Sequence, residues 1–266
     1  MNVSETVIHH ASDWIDWIDA SGSLTSRPRV NNPLQLVFSK SPTDLTVISQ
    51  KGRTRLWRGA QEALHLSVNG RASDAQLAYP ATPTFILAGE VRDQQRRYNP
   101  RKFSITAGNA AGHSIELFRS PMGTRFASAG GLRGNVRFQD NSPASWAILS
   151  IEVTPLVGSK LKFRAQADLH GDFVLAMDRL PALAKDVAHK QYTAKLTALA
   201  LKAASGQEIT DPDTFASAQI QDPDPDPPPD DDDEPVFANS IDLTVSPGTV
   251  ATLTSKDQPH LVLRIP

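Results

Sequence analysis

Hydrophobic and polar residues alternate along most of this chain, and this pattern predicts β-strands. In a strand, successive side chains point to opposite faces, so every second residue can reach a core. Turn-forming Gly, Pro, Asp and Ser residues separate the alternating runs. The runs cover residues 34–40, 44–50, 54–59, 63–70, 84–93, 101–108, 113–120, 132–140, 145–155, 161–167 and 172–178, with two or three more between 240 and 266. The pattern predicts an all-β protein with two packed antiparallel sandwich domains.

One segment departs from this alternation. Residues 185–205 contain Leu196, Leu199 and Leu201 among Ala and Lys residues, all of which favour helices. Gly206 follows and is typical of a helix end. The sequence therefore predicts a single long helix over 185–205.

The order of these patterns predicts four regions. Residues 1–30 are expected to form an N-terminal extension that could dock on a neighbour, and residues 31–110 a β domain of unassigned type. Residues 111–204 and 237–266 are expected to form a second sandwich, which includes the helix. Residues 205–236 interrupt it as an acidic loop.

Charge is distributed unevenly between this loop and the rest of the chain. Residues 205–236 hold nine Asp and two Glu, with no Lys or Arg. Because the whole chain has a net charge of −2, the remaining residues carry +9. Repelling carboxylates and the Pro residues of 222–235 oppose a packed element, which predicts an extended, solvated loop. It serves either as a solubilising linker or as a contact for a basic surface, its own or a neighbour's.

Composition also restricts the class of protein. The chain has no cysteine, so disulfides and thiolate metal sites are impossible and a reducing compartment fits best. Glu5 and Asp13 lie where a signal peptide needs a basic start and an apolar run, and no apolar run is long enough to span a membrane. We expect a cytoplasmic protein without a signal peptide, or a part of an assembled particle.

The segment 167–181 brings Asp168, His170 and Asp172 together beside Gly171. These residue types could ligate a metal, but alternating runs flank them on both sides, which predicts a hairpin turn. Gly171 would supply a positive φ and Asp168 would accept a backbone hydrogen bond. The pattern favours a turn over a metal site.

The same segment carries a family resemblance. "ADLHGDFVLAMDRLP" (167–181) is similar to the "T-D-x-x-G-x-F-x-L…L-P" signature of carboxypeptidase regulatory-like domains, and residues 134–153 resemble a preceding strand of that family. The match covers roughly 130–181 and implies a transthyretin-like fold for the second sandwich. Residues 96–105, 115–126 and 130–138 also resemble bacterial proteins encoded beside contractile phage-tail-like particles. This second resemblance implies a non-catalytic structural part of an injection assembly, in its cap or baseplate.

A zinc motif of metallocarboxypeptidases has a superficial counterpart here. Glu116 follows His113 by three residues, which is the ligand spacing of those enzymes. On a strand, positions i and i+3 face opposite sides, so the two side chains are not expected to share an ion. The sequence also has no G-x-S-x-G, P-loop or dinucleotide motif. We therefore predict no catalytic residues, no metal and no cofactor.

A basic segment is the first candidate for partner binding. Residues 92–103 hold five basic side chains around Tyr98, of which four are arginines: Arg92, Arg96, Arg97 and Arg101. This mixture suits an acidic protein partner, or phosphates with a base stacked on the ring, but it also fits an ordinary solvated hairpin. Nucleic acid is the less favoured partner.

The N-terminal "SDWIDWID" (12–19) is the second candidate. Trp14, Ile15, Trp17 and Ile18 form an apolar stripe at helical spacing, opposite three aspartates. The stripe either folds back on the chain's own core or docks in a groove of a neighbouring subunit. Trp14, Trp17 and Ile18 are therefore predicted to bind a partner in the second case.

Together these observations predict a non-catalytic structural or adapter subunit of a larger assembly, such as a contractile injection particle. Its partners would be protein subunits of that assembly, and homo-oligomerisation stays open. The alternative is a β-sandwich module that binds carbohydrate or another small ligand through its loops.

Overall fold

The computed structural model describes residues 10–23, 27–58, 84–126, 128–156, 158–178, 180–183, 191–223 and 235–266. The predicted strand 63–70, residues 185–190 of the predicted helix and residues 224–234 of the predicted acidic loop lie outside these ranges. The prediction of a solvated loop is wrong over Ala216–Gln221, which form a strand with Ala218 and Ile220 buried. The strands are β1 (His10–Asp19), β2 (Gly22–Ser23), β3 (Leu34–Lys40), β4 (Leu45–Gln50), β5 (Arg53–Arg58), β6 (Phe85–Asp93), β7 (Arg101–Ala107), β8 (Gly112–Leu117), β9 (Gly130–Phe138), β10 (Ile148–Thr154), β11 (Leu161–Gln166), β12 (Asp172–Ala176), β13 (Tyr192–Ala200), β14 (Ala216–Gln221), β15 (Phe237–Ala238), β16 (Ile241–Val245), β17 (Thr249–Thr252) and β18 (Leu261–Arg264). The only helical elements in the described residues are two 3₁₀ turns, Lys202–Ala204 and Pro212–Thr214, so the all-β prediction is confirmed.

The N-terminal sandwich consists of two facing sheets. One has the order β4-β5-β1-β8, and the other has the order β3-β6-β7. Strand β1 is antiparallel to β5 and parallel to β8. Side chains from the two sheets meet in one apolar core, where the rings of Trp17 and Phe103 contact edge to face with centroids 5.5 Å apart. Burial of each large side chain there stabilises the fold by about 1.5–3 kcal/mol.

The described part of the N-terminal segment belongs to the first sandwich and is not a separate extension, and it does not present an apolar stripe at helical spacing. Residues 10–19 form an inner strand of the first sheet, with hydrogen-bonded neighbours on both sides. Burial alternates along it, with Asp13, Ile15, Trp17 and Asp19 inside. The paired strands satisfy its backbone groups, which outweighs the helical spacing of the apolar residues. The first sandwich also extends to Leu117, beyond the predicted boundary at residue 110.

The C-terminal sandwich contains the remaining eleven strands. Eight of them have the hydrogen-bonding order β12-β9-β18-β14-β13-β10-β11-β2, and β15, β16 and β17 pair with β14, β13 and β9, respectively. Strand β14 joins its two layers, because Ala216–Ala218 pair with β13 whereas Gln219 and Ile220 pair with β18. One layer contributes Leu149, Phe163 and Leu196 to the core, and the other contributes Val136, Phe173 and Leu263.

The predicted helix over 185–205 is wrong where the structure describes it. Tyr192–Ala200 form strand β13 between β10 on one side and β14 and β16 on the other. Every second residue faces the core: Tyr192, Ala194, Leu196, Ala198 and Ala200. The small Ala side chains fit the crowded space between the layers, and long-range pairing overrides their helix propensity.

The predicted hairpin around residues 168–171 is also different in the structure. Strand β11 pairs with β10, and strand β12 pairs with β9, so the two strands that flank the turn are not paired with each other. The turn instead carries the chain from one layer of the sandwich to the other. Period-two alternation cannot distinguish a hairpin of two paired strands from a turn between two layers, because both place apolar residues on one side of each strand.

Candidate functional site

The two sandwiches are connected by a set of polar contacts that we call the polar joint. Arg101 lies at the centre of the polar joint, whose other members include Glu116, Arg164, Asp211 and Asp213. Arg101, at the start of β7, has a side chain that is only 4% exposed. Its Nη2 atom lies 2.9 Å from Asp211 Oδ1 and 2.7 Å from Asp213 Oδ2, at the second 3₁₀ turn. Its Nη1 atom donates to the Glu116 carbonyl oxygen at 2.9 Å. One guanidinium therefore binds elements of both sandwiches, and its charge is compensated where it is buried.

Further contacts extend this joint. The Glu116 carboxylate lies 2.9 Å from Arg27 Nη1 and 2.9 Å from Arg164 Nη1 on β11 of the other sandwich. The Asn99 amide donates to the Ala167 carbonyl oxygen at 3.1 Å. Buried Phe118 and Ile148 pack beside these polar groups. The joint thus combines ion pairs with apolar contact, which favours one fixed arrangement of the two sandwiches.

A cavity of about 350 Å³ opens at the joint. Its lining includes two cations, Arg27 and Arg101, and two anions, Glu116 and Asp213. The cations already pair with carboxylates of the chain, so an anionic ligand would have to displace them. The arrangement is suited to holding the sandwiches together and not to gripping a charged ligand.

A buried carboxylate, that of Asp19, supports the joint from the N-terminal side. Asp19 Oδ2 accepts a hydrogen bond from the Tyr98 hydroxyl at 2.9 Å and one from Arg119 Nε at 2.8 Å. Burial, together with the negative charge of Asp19 and the hydrogen bond to it, raises the pKa of Tyr98 to about 12. The phenol therefore stays protonated and holds the turn at residue 98 to strand β1.

The basic segment predicted as one binding site is divided by the structure. Arg101 is buried in the joint, and Tyr98 is partly buried and bonded to Asp19. Arg92 is exposed and lies 3.2 Å from Glu90. Arg96 and Arg97 are exposed, and their side chains have no hydrogen bond or ion pair within the described residues. Of the four arginines, only these last two have a guanidinium without a partner in the described residues, and Lys102 is exposed as well.

Arg96 and Arg97 belong to a surface that we call the basic loop pair, formed by residues 93–98 and 118–126. Ser120 N donates to the Arg97 carbonyl oxygen and Ser120 Oγ to that of Arg96, both at 2.8 Å. A Cβ atom on Gly123 would overlap the Arg97 carbonyl oxygen, so the two loops are in close backbone contact. Met122 lies beside this contact and is 91% exposed.

Asp93 fixes the first of these loops. Its buried carboxylate accepts hydrogen bonds from the backbone of Gln95 at 3.0 Å and of Arg97 at 2.8 Å, and from the Asn32 amide at 2.8 Å. Arg96 adopts a positive φ of 56° within this turn. A side chain that binds several backbone N–H groups holds such a turn in one conformation. Sequence reasoning missed Asp93, although an Asp at the end of a strand is a familiar turn signal.

The predicted N-terminal anchors lie against their own chain. Trp17 is buried in the first core, and its indole N–H donates to Thr54 Oγ1 at 2.9 Å. Trp14 is partly buried over Gly112, with the Arg53 guanidinium 5.5 Å from its ring centroid. Ile18 lines the cavity at the joint. Trp17 is thus part of the fold, and it is not available as an exposed anchor.

The Asp168 side chain caps the turn between the layers. Its Oδ1 atom accepts backbone hydrogen bonds from His170 at 2.8 Å and from Asp172 at 3.0 Å. Gly171 has the positive φ that the sequence predicts, 85°, and a Cβ atom there would overlap the Val136 carbonyl oxygen. Burial raises the pKa of Asp168. Each of these contacts serves the turn.

His113 and Glu116 point to different partners on strand β8. His113 Nε2 lies 3.5 Å from Asp13 Oδ1, whereas Glu116 faces the arginines of the joint. Within the described ranges, no three His, Asp or Glu side chains come close enough together to hold a metal ion. The zinc-like spacing therefore corresponds to two separate structural contacts.

A Ser–Lys contact that sequence analysis did not identify lies at the first 3₁₀ turn. Lys202 Nζ donates to Ser142 Oγ at 2.6 Å and also to the Asp140 carboxylate. Hydrogen bonds from Lys202 and Ser142 hold the pKa of Asp140 well below its usual range. The three side chains thus form one polar cluster that ties residues 140–142 to the first 3₁₀ turn.

Comparisons with protein-family models and with curated proteins identify no relative of this chain. No helix in the described part of the chain is long and apolar enough to cross a membrane. The resemblance to carboxypeptidase regulatory-like domains stays a prediction.

Proposed function

We propose that the chain is a non-catalytic structural or adapter subunit of a larger assembly. The observation that carries this proposal is the way in which buried and partly buried ionisable groups are used. Arg101 and Glu116 pair with side chains of the second sandwich and fix the two sandwiches in one arrangement, and Asp19 binds Tyr98 and Arg119 within the first. A subunit of this kind transmits position between neighbours, and a rigid connection between its two halves serves that purpose.

We further propose a contractile tail-like injection particle as the assembly, with the chain in its cap or baseplate. The support is the resemblance of residues 96–105, 115–126 and 130–138 to proteins encoded beside such particles. The first two of these segments contain most of the basic loop pair, and the third is strand β9. The resembling residues thus include an exposed surface as well as core positions.

Particle purification tests this proposal. The chain is tagged at its natural expression level in the native host, and contractile particles are separated by gradient centrifugation. We expect the chain in the particle fraction at a fixed ratio to the other subunits. A chain that sediments only as a small free protein, beside intact particles, would contradict the proposal.

A ligand-binding module is the alternative, and one groove favours it. This groove of about 660 Å³ is lined by Arg137, Phe237 and His260, together with Asn and Gln side chains. Aromatic and amide groups of this kind bind sugars or other neutral polar ligands. A glycan array with the purified chain tests it, and a specific signal lost in Phe237→Ala would favour the alternative over the adapter.

A further inference from the structure

The basic loop pair joins an exposed thioether to cations that have no partner among the described residues. Met122 is the most exposed large hydrophobic side chain of the described residues. Arg96 and Arg97 lie on the adjoining turn, and Arg125 follows on the same loop, exposed and without an ion pair among the described residues. A single exposed Met is common, but Met and Arg together are enriched in the cores of protein interfaces.

The loop pair is fixed before any partner arrives. Within residues 118–126, Gly123 N and Thr124 N donate to the Ser120 carbonyl oxygen, each at 3.0 Å. The turn 93–98 is held by Asp93 and bonded to Ser120. Binding therefore requires little ordering of the backbone, which reduces the entropic cost of association.

Charge and shape restrict what the loop pair can bind. Three exposed guanidinium groups without a partner in the described residues favour an anionic partner, and an arginine fork pairs best with carboxylate or phosphate. Stacking on nucleic acid would need a free aromatic ring, but Tyr98 is packed against the first core and its hydroxyl is bonded to Asp19. The Met122 side chain gains most from an apolar pocket, which a phosphate backbone does not offer.

From this charge complementarity we propose that the basic loop pair docks on another subunit, at an apolar socket for Met122 that is rimmed by Asp and Glu carboxylates. The inference rests on the proposed adapter function and names the chemistry of its partner. The arginines guide and orient the encounter, and the buried thioether supplies the desolvated centre of the interface.

Site-specific photo-crosslinking tests the docking. A benzoyl-phenylalanine replaces Met122 in the tagged chain, which is irradiated in the purified particle. Leu156 is the matched control position, because its side chain is 55% exposed. It lies just after the C-terminal end of β10, whereas Ile148 at the other end of that strand packs with Phe118 of the loop pair. We expect position 122, and not position 156, to crosslink to one subunit at an apolar site surrounded by carboxylates.

Charge reversal then tests the role of the arginines. Arg96→Glu with Arg97→Glu should lower the crosslink yield about tenfold or more, which corresponds to about 1.4 kcal/mol of binding. Lysines in place of the partner's rim carboxylates should restore the yield. Equal crosslinking at 122 and 156 in a chain that still co-purifies would overturn the inference and leave the adapter proposal intact. A chain absent from the particle would overturn both.

Other crosslinked products would assign the surface differently. A product removed by nuclease would identify nucleic acid as the ligand, and a covalent dimer of the chain would identify a second copy. Either result would overturn docking on another subunit.

Discussion

Arg97 and Arg101 are four residues apart, yet their guanidinium groups lie in opposite environments. Arg101 is buried in the polar joint between two carboxylates, whereas Arg97 is exposed in the basic loop pair without a side-chain partner in the described residues. The carboxylates that compensate Arg101 follow it by more than 100 residues. The two arginines are close in sequence, but in the fold Arg101 contributes to stability and Arg97 is exposed for binding.

The comparison separates two uses of charge. A buried charge must be paired, and removing its partner is costly because the remaining charge stays desolvated. An exposed charge is hydrated, and losing it changes the free energy of unfolding little. Substitutions in the polar joint should therefore reduce stability, and substitutions in the basic loop pair should reduce binding.

The largest effect is expected from removing both acidic partners of Arg101. Asp211→Asn with Asp213→Asn leaves a buried guanidinium without a counter-charge, which should lower the free energy of unfolding by about 3 kcal/mol. Urea denaturation followed by tryptophan fluorescence measures this. Asp242→Asn is the matched control, since Asp242 forms an exposed pair with Lys195 at 3.8 Å. A double variant that is no less stable than this control would show that the polar joint contributes no stability.

The second expected effect concerns the base of the loop pair. A Cβ atom on Gly123 would overlap backbone of the neighbouring turn, so Gly123→Ala should separate the loops and cost about 2–3 kcal/mol. Gly206→Ala is the control, because Gly206 has a φ of 74° but no atom near the added methyl group. Its cost should be about 1 kcal/mol from backbone strain alone. Equal costs in the two variants would contradict the close contact between the loops.

Some elements of the fold could be predicted from the sequence and others could not. The turn at Gly171 was predictable, because an Asp, a Gly and two alternating runs define it locally. The strand β13 was not, although Tyr192, Ala194, Leu196, Ala198 and Ala200 alternate regularly. Its Ala and Lys content indicates a helix, and the strands that capture it come from distant parts of the chain.

The candidate site shows the same limit. The sequence identified the basic segment but could not divide it, because the partners of Arg101 and Tyr98 are 110 and 79 residues away. Met122 was not singled out, since nothing in its local sequence indicates that its side chain stays exposed. Exposure is a property of the packed structure, and in the loop pair it depends on contacts between two separate loops.

The third effect is a pH dependence at the edge of the polar joint. Since the pKa of Tyr98 is about 12 in the folded chain and near 10 when unfolded, folding favours the protonated phenol. This contribution to stability is complete below about pH 10 and is lost as the pH rises toward 12. Tyr98→Phe should cost about 1 kcal/mol at pH 7 through the lost hydrogen bond. Tyr98→Phe should also remove this part of the loss of stability at alkaline pH. The measurement is the difference between the free energies of unfolding of the wild type and the variant from pH 9 to 12.

The smallest effect on stability is expected in the loop pair itself. Arg96→Gln with Arg97→Gln should change the free energy of unfolding by less than about 0.5 kcal/mol, because neither side chain has a partner to lose among the described residues. Arg101→Gln is the matched comparison: the same substitution, four positions later, removes a buried guanidinium and leaves Asp211, Asp213 and the Glu116 carbonyl without their donor. It should cost about 2–3 kcal/mol. Paired urea titrations at the same salt concentration give both values, and a marked loss of stability in the Arg96/Arg97 variant would mean that these arginines hold the fold and are not free for a partner.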